Sequence, residues 1–453
     1  MIARVSRIAA GATAAGAASA LTAAALGFDG EVALALARVD SSLRPILASV
    51  LPADAFIAIY SGSRSPVIGM LSNQDSAARL AEARASDDAA SATKPHLAMG
   101  LSFRNDLGNA AGLDKDGSLL DFNYALGAGF TVVGTVLSEP HTGNLFDFLG
   151  GLWRGNAWTP LPQSGAALNS LGLPSKGVDC ALDNIATFRL RHGIAPQKAI
   201  DPTNSAASKT SERHGGESGG VPFPIGVSIM GHPAHDGAGD AGARKLRGVL
   251  YCVERALPLS DFIEINESCP NVHHGGGGGA AAANADLASR LKAVVAVRDK
   301  AAREMPSRRR VPILVKLGDV GDAKQTVRLL SSLGVDGLVL LNTQKDYHAF
   351  DLPPADRSLL RHYTQRYGGG LSGPPVRGRS TAQAAAAMRA VRELRLDGSF
   401  TVIHVGGIEG NDDVRESRDT GAELRQWYTG LMHGLAQPEV HRLYARVTAR
   451  GAQ

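Results

Sequence analysis

Blocks of apolar residues alternate with polar, helix-forming segments along most of the chain after residue 100. Eight apolar segments are rich in β-branched and aromatic residues and are bounded by turn formers, which predicts strands. The predicted strands are residues 107–113, 130–137, 223–229, 261–266, 313–317, 337–342, 400–405 and 424–428. Helical periodicity separates most of them, for example at residues 285–303, 323–333 and 381–394.

This alternation of strands and helices predicts a parallel sheet whose two faces are covered by helices. Eight such units predict an α/β fold that closes into a (β/α)8 TIM barrel, in which functional side chains follow the strands. The alternative is an open, doubly wound sheet, but no GxGxxG turn follows the first predicted strand. Residues 96–453 are therefore expected to form one barrel domain.

The pattern before and within the barrel changes at several places. Residues 31–95 are a predicted helical extension and linker, and Pro45 and Pro52 are expected to cut its first part into short pieces. From residue 72 to 94 the composition predicts a mobile linker or an exposed helix. Residues 198–220 and 275–283 are predicted flexible inserts, and the second is either part of a lid or low-complexity sequence without a role.

The N-terminus, residues 1–30, is rich in alanine and carries Arg4 and Arg7 but no acidic residue before Asp29. This composition is typical of a mitochondrial targeting segment, and the uncharged run is also long enough to span a bilayer. Because alanine contributes little to insertion, we expect a targeting segment or a weak membrane anchor. The expected location is mitochondrial, at the inner membrane if the segment anchors; a secretory signal fits the cysteine usage poorly.

Composition narrows the classes of partner. A hydrophobic content of 44% allows a large core, and a net charge of +4 without a basic stripe predicts no nucleic-acid partner. Cys180, Cys252 and Cys269 have no CxxC spacing, which argues against a metal site and against a disulfide framework. A reducing compartment is expected.

The most informative stretch is residues 266–271, which read Asn-Glu-Ser-Cys-Pro-Asn directly after a predicted strand that Pro270 ends. The carboxamides of Asn266 and Asn271 flank the thiol of Cys269, a set suited to hold a planar polar ring with the thiol on one face. A second signal is Lys316, at the end of an apolar strand. A buried ammonium is costly unless an anion compensates it, so this lysine is hard to explain by a structural role alone.

On these motifs the chain resembles the FMN-dependent dihydroorotate dehydrogenases, whose fourth barrel strand ends in Asn-x-Ser-(Cys or Ser)-Pro-Asn. The resemblance runs from about residue 104 to residue 431 and mixes features of the soluble, Cys-base branch with those of the membrane-bound, quinone-linked branch. It implies FMN as cofactor and oxidation of dihydroorotate to orotate in de novo pyrimidine biosynthesis. Cys269 would remove the C5 proton while a hydride passes from C6 to flavin N5, and nearby Lys115 or Lys316 would favour the thiolate.

The same resemblance assigns the remaining site residues. The substrate would be bound by Lys115, Asn169, Asn266, Asn271 and Asn342. The cofactor would be bound by Ala111, Gly112, Lys115, Thr135, Ser228, Asn266, Lys316, Thr343, Ser372, Gly373, Gly406, Gly407, Tyr428 and Thr429. The two glycine-containing loops after the last two strands would hold the phosphate.

Three departures from the family pattern leave alternatives open. Residues 143–148 lack the family's prolines and arginine, Glu267 places a carboxylate beside the base, and Leu341 replaces a threonine. The electron acceptor therefore stays open between a quinone, fumarate and another oxidant. An alternative function is a catalytically weak or inactive flavin-fold scaffold or assembly subunit in the mitochondrion. Other FMN barrels with a catalytic cysteine, such as dihydrouridine synthases or dihydropyrimidine dehydrogenase domains, are disfavoured by the asparagine set.

Overall fold

The computed structural model describes residues 30–88, 95–197, 222–233, 241–267, 280–304 and 310–450. Its strands, numbered along the chain, are β1 His96–Ala98, β2 Leu101–Phe103, β3 Leu107–Asn109, β4 Thr131–Val136, β5 Phe146–Phe148, β6 Trp153–Gly155, β7 Ala157–Leu161, β8 Ala166–Ser170, β9 Ile225–Ile229, β10 Phe262–Asn266, β11 Ile313–Leu317, β12 Gly337–Leu340, β13 Gly370–Ser372, β14 Thr401–Val405 and β15 Leu424–Trp427.

The helices are numbered in the same way. They are α1 Gly30–Val50, α2 Ala53–Leu71, α3 Gln74–Asp88, α4 Leu120–Ala125, α5 Val178–His192, α6 Ala241–Ala256, α7 Ala280–Glu304, α8 Ala323–Ser332, α9 Pro354–Tyr367, α10 Arg377–Glu393, α11 Asn411–Asp419, α12 Thr429–Gly434 and α13 Leu443–Thr448.

Eight strands form one parallel sheet in the order β3, β15, β14, β12, β11, β10, β9, β4. The two ends of the sheet meet through a parallel bridge between Gly108 and Phe130. A Cβ at Gly108 would lie 2.6 Å from the Phe130 carbonyl oxygen, so a side chain there would push the two ends apart. The predicted (β/α)8 barrel is confirmed, and each strand begins within two residues of its predicted start.

The interior of the barrel changes from apolar to polar toward the carboxyl ends of its strands. An apolar cluster in the interior includes Phe262, Leu314 and Leu424. Side chains of a strand alternate between its two faces, so the residues two positions further along face the same interior. Those residues are polar and buried: Glu264, Lys316 and Gln426. The polar layer therefore lies beneath the rim at which the strands end.

The helical extension packs beside this rim. Helix α2 lies against β7 of a small antiparallel sheet, β7–β8–β13, and Phe56 and Tyr60 of α2 share its apolar cluster. Helix α1 runs without a break through Pro45, so the prediction that this proline would cut the helix is wrong. Contacts hold α1 on both sides of the proline: Tyr60 donates a hydrogen bond of 2.5 Å to Asp40, and Leu47 packs against the small-sheet cluster. Pro52, by contrast, does separate α1 from α2.

Two other predicted segments are partly described. Of the two structures predicted for residues 72–94, the helix is present as α3. The insert predicted at 275–283 is described only from Ala280, where helix α7 already begins, and residues 198–220 lie outside the described residues. Within the described ranges, no helix has both the length and the apolar character needed to cross a membrane.

Candidate active site

A cavity lies at the carboxyl ends of the barrel strands and gathers nearly all the described residues that the sequence predicted. Its lining includes Ala111, Gly112, Lys115, Thr135, Asn169, Asn266, Lys316, Asn342, Thr343, Ser372, Gly373, Gly406, Gly407, Tyr428 and Thr429. These residues are far apart in the chain and come together because parallel barrel strands end at one rim. Lining residues that were not predicted from the sequence include Trp158, Leu171, Gly172 and Glu409.

One described residue that was predicted for the site does not line this cavity. Ser228 is fully buried beneath it, 3.1 Å from the hydroxyl of Thr135, and does not line the cavity. Cys269 and Asn271 lie outside the described residues, which end at Glu267 on this side of the barrel and resume at Ala280. The predicted base and the fourth carboxamide therefore remain predictions.

Two of the predicted carboxamides form a connected group on the cavity wall. Asn342 Nδ2 lies 3.4 Å from Asn266 Oδ1, and Asn266 Nδ2 donates to Thr135 Oγ1 at 2.9 Å. Asn169 lies on β8 opposite Gly370 of β13, which places it on the side of the cavity formed by the small sheet. Donors and acceptors thus face the cavity from both sides.

The lysine in this wall is paired inside the barrel. Lys316 Nζ lies 3.7 Å from Glu264 Oε1, and the two side chains are 4% and 0% exposed. The neighbouring strand therefore supplies an anion that compensates this buried ammonium. Glu264 was missed, although its place between Phe262 and Asn266, with one residue separating it from each, was a signal in the alternation of β10.

A backbone cradle closes one end of the cavity. Gly406 and Gly407 have φ angles of 123° and 73°, which L side chains rarely adopt. A Cβ at Gly430 would lie 2.1 Å from the Ile408 carbonyl oxygen, so these two loops approach more closely than a side chain allows. Such a surface of bare backbone suits a phosphate group, which accepts hydrogen bonds from N–H donors.

A buried histidine supports this cradle from behind. The ring nitrogens of His404 lie 2.7 Å from Ser417 Oγ and 3.0 Å from Ser380 Oγ, and Ser380 donates to the Gly406 carbonyl at 2.7 Å. Burial, together with the nearby Arg425 guanidinium, lowers the pKa of His404 to about 4. The imidazole is therefore neutral at physiological pH and acts as a fixed spacer beneath the loop. Sequence analysis did not identify it.

A buried carboxyl group lies next to the predicted lysine of the first loop. Asp114 is fully buried, and this burial together with the carboxylate of Asp116 raises its pKa to about 7, against the opposing effect of backbone amides. Asp114 precedes Lys115, which lines the cavity. The charge of Asp114, beside this lysine, therefore changes in the neutral pH range.

The departures from the family pattern have structural consequences. Glu267 forms an ion pair with Arg290 of α7, with 2.8 Å between Oε2 and Nη2. Residues 146–148 form strand β5, where Phe148 stacks on Trp153 with 4.2 Å between ring centroids. Leu341 is 1% exposed and lines the cavity. The carboxylate next to the predicted base is thus paired with a cation, and the altered segment is built into the aromatic packing around α2.

One residue connects the helical extension to the cavity directly. Arg64 of α2 donates to the Gly112 carbonyl at 3.3 Å and to the Tyr428 hydroxyl at 3.1 Å. Both acceptors belong to residues that line the cavity. The extension is therefore part of the wall of the site.

Comparison with known proteins finds relatives of this chain. The family model described as dihydroorotate dehydrogenase matches residues 96–442. A dihydroorotate dehydrogenase (quinone) from Chromobacterium violaceum is 30% identical over 370 residues, 80% of this chain and 87% of that protein. One from Paracidovorax citrulli is 32% identical over 343 residues, 74% of this chain and 80% of that protein.

A solved structure shares the fold. The structure of DHODH from Eimeria tenella in complex with ferulenol superposes with a TM-score of 0.57 at 23% identity and covers 78% of this chain and 82% of that one. At this identity the likeness concerns the fold alone. The family model, however, spans the whole barrel up to residue 442, and the chain therefore belongs to the dihydroorotate dehydrogenase family.

Proposed function

We propose that this protein oxidises dihydroorotate to orotate with FMN as its first electron acceptor and Cys269 as its base. The observation that carries the proposal is the convergence of Asn266, Asn342 and Lys316, from three different strand ends, on the wall of one cavity. Carboxamides there can pair with the donors and acceptors of a pyrimidine ring, and a cation can pair with an anionic group. A wrong ring would leave these buried polar groups unpaired.

The residues present fit FMN. The bare backbone around Gly406, Gly407 and Gly430 suits the phosphate. Ser372 and Gly373 line the same cavity and would lie near the flavin tail. Thr135 and Lys316 would lie beside the ring system, where a cation stabilises negative charge. When bound, FMN supplies the two-electron acceptor that no side chain provides.

The chain's own groups have separate tasks in the proposed reaction. Cys269 would take the proton from C5 of dihydroorotate, and the hydride on C6 would pass to bound FMN, so that a double bond forms between C5 and C6. Asn169, Asn266 and Asn342 hold the ring in one orientation, while Lys115 binds its carboxylate.

The purified protein tests this proposal. We expect a yellow preparation with about one FMN per chain, whose flavin absorbance is bleached by dihydroorotate in the absence of oxygen. Cys269→Ala should keep FMN and lose flavin reduction at neutral pH by roughly two to four orders of magnitude. A protein that stays colourless after addition of FMN would contradict the proposal and favour the scaffold function. Full reduction rates in Cys269→Ala would exclude the thiol as base.

We propose a quinone as the final electron acceptor, reached from the side of the helical extension. Helix α1 carries an apolar stripe at helical spacing, whose members are 41–58% exposed: Leu36, Val39, Leu43, Ile46 and Val50. An apolar stripe of this kind suits an apolar acceptor or a lipid surface. The relatives whose names specify a quinone support the same assignment.

A liposome assay with a matched control tests the role of this stripe. Ile46→Asp should reduce co-sedimentation with liposomes and reduce turnover with a membrane-embedded quinone, while leaving flavin reduction by dihydroorotate unchanged. Ser41→Asp, on the opposite side of α1 by helical geometry, should change neither. Equal behaviour of the two variants would exclude the stripe from acceptor access. Turnover with fumarate but not with quinone would exclude the quinone.

We also propose that residues 1–30 direct the protein to mitochondria. Support comes from Arg4 and Arg7 in a segment that has no acidic residue before Asp29. A fusion of this segment to a fluorescent protein should enter mitochondria, and replacement of both arginines by glutamate should leave the fusion in the cytosol. Cytosolic fluorescence of the unaltered fusion would contradict the proposal.

A further inference from the structure

Glu264 is a fully buried carboxylate in the centre of the barrel to which the proposed reaction gives no task. It lies on β10 directly before Ile265 and Asn266, and its side chain faces the interior beneath the cavity. Burying a carboxylate is costly unless several donors surround it. The donors around Glu264 therefore indicate what it does.

Two hydrogen-bond donors and one ammonium group converge on this carboxylate from three other strands. Ser228 Oγ of β9 donates to Oε1 at 3.0 Å, and Gln426 Nε2 of β15 donates to Oε2 at 3.1 Å. The ammonium of Lys316 lies 3.7 Å from Oε1. An ionised carboxylate only accepts hydrogen bonds, so this surrounding of donors is matched to the charged form of Glu264.

The hydrogen bond from Ser228 to Glu264 sets the donor–acceptor direction of a longer chain of hydrogen bonds. A hydroxyl group has a single hydrogen, and that of Ser228 is used toward Glu264. The 3.1 Å contact between Ser228 Oγ and Thr135 Oγ1 must then have Thr135 as its donor. With its own hydrogen used in this way, Thr135 can only accept from its other partner, Asn266 Nδ2, at 2.9 Å.

The end of this chain is the carboxamide of Asn266 on the cavity wall. Because its nitrogen is turned toward Thr135, its oxygen is turned toward Asn342 Nδ2, at 3.4 Å. A hydrogen-bond donor in place of the Glu264 carboxylate would allow donor and acceptor to exchange in every hydrogen bond of this chain. Ser228 would donate to Thr135, Thr135 would donate to Asn266, and the carboxamide would turn by 180°.

We propose that Glu264 is a positioning and specificity-determining residue that fixes, through Ser228 and Thr135, which end of the Asn266 carboxamide faces the ligand. The oxygen of Asn266 then selects a planar ring that presents an N–H group at this place, and it disfavours a ring that presents a bare or methylated nitrogen there. This inference rests on the proposed function, because it takes the cavity to hold such a ring.

Substitutions along this chain of hydrogen bonds test the proposal. Glu264→Gln offers an amide donor to Ser228, and Ser228→Ala removes the link while leaving the carboxylate beside Lys316. Both variants should retain FMN and bind orotate at least about tenfold more weakly, measured by the change in flavin absorbance, because a misdirected buried amide loses its partner. Ser228→Thr keeps the hydroxyl and should bind orotate within about threefold of the wild type, because the link to Glu264 is retained.

A matched control removes a different carboxylate. Glu423 lies at the opposite end of the barrel, where it accepts from the Val402 amide at 2.8 Å, and it does not line the cavity. Glu423→Gln should leave orotate binding unchanged. If Glu264→Gln fails to fold, the Ser228 pair still decides: unchanged orotate affinity of FMN-loaded Ser228→Ala would overturn the proposal, as would equal losses in Ser228→Ala and Ser228→Thr.

The chain of hydrogen bonds can also be tested without FMN, so that a negative result for this inference is distinct from a negative result for the proposed function. In chemical unfolding of the flavin-free protein, the loss of stability in the double variant Glu264→Gln/Ser228→Ala should be clearly smaller than the sum of the single losses. Additive losses would overturn the coupling. A wild-type protein that takes up no FMN would overturn the proposed function but not this result.

Discussion

Replacement of Lys316 by methionine tests the buried ion pair on which the polar layer of the barrel depends. Methionine has a similar length, so it fills the space while removing the ammonium that lies 3.7 Å from Glu264. At this distance the attraction between unit charges is about 4 kcal/mol for an effective dielectric constant of about 20. Breaking a buried pair from one side costs roughly 3–5 kcal/mol, because the remaining charge stays buried. We therefore expect Lys316→Met to lower the free energy of unfolding by about that amount.

The assay is equilibrium unfolding of the flavin-free protein in urea, followed by circular dichroism. Lys324→Met is the matched control, because Lys324 forms a closer pair, at 2.7 Å from Glu393, with side chains that are 50% and 55% exposed. Solvent screens such a pair, so this variant should remain close to the wild type.

The double variant Lys316→Met/Glu264→Leu should recover most of the loss, since neither charge of this pair is then left buried without its partner. The reasoning is refuted if Lys316→Met is as stable as Lys324→Met, or if the double variant is less stable than Lys316→Met alone.

Further predictions concern the cradle and the two buried titratable groups. Gly430→Ala should abolish FMN retention, because its Cβ would lie 2.1 Å from the Ile408 carbonyl, whereas Gly378→Ala, with no atom within 4 Å of its Cβ, should retain FMN; equal flavin content in the two would contradict the assigned cradle. The pKa of Asp114 is about 7 in the folded protein and about 3.8 in the unfolded chain, so between these pH values only the folded state holds the proton. The free energy of unfolding should therefore fall as pH rises from about 4 to 7, and Asp114→Asn should remove this part of its pH dependence. His404 gives the opposite dependence, because its pKa of about 4 lies below the ordinary 6.5 and the unfolded state therefore takes up a proton first. Stability should fall as pH drops from about 6.5 to 4, and the thermal midpoint of His404→Gln should not show that fall.

The barrel could be predicted from the sequence because its signals are local. Each strand of the large sheet is a short apolar run bounded by turn formers, and several carry a polar residue near the carboxyl end, such as Asn266 of β10 and Lys316 of β11. In a parallel barrel all strand ends of one polarity meet at one rim, so the topology alone brings these residues together. The approximate membership of the cavity was therefore decided by the order of residues along the chain.

The partners inside that rim were decided only by the tertiary structure. Glu264 lies opposite Ser228 on the neighbouring strand, and Asn266 lies opposite Lys316, because of the register between β9, β10 and β11. A shift of one residue would turn Glu264 toward the outer helices, and no local pattern specifies that register. The same holds for Pro45, which stays inside a helix because packing on both sides outweighs its intrinsic preference. Local composition thus determined the strands and their ends, whereas contacts between distant segments determined which charges and hydroxyl groups meet.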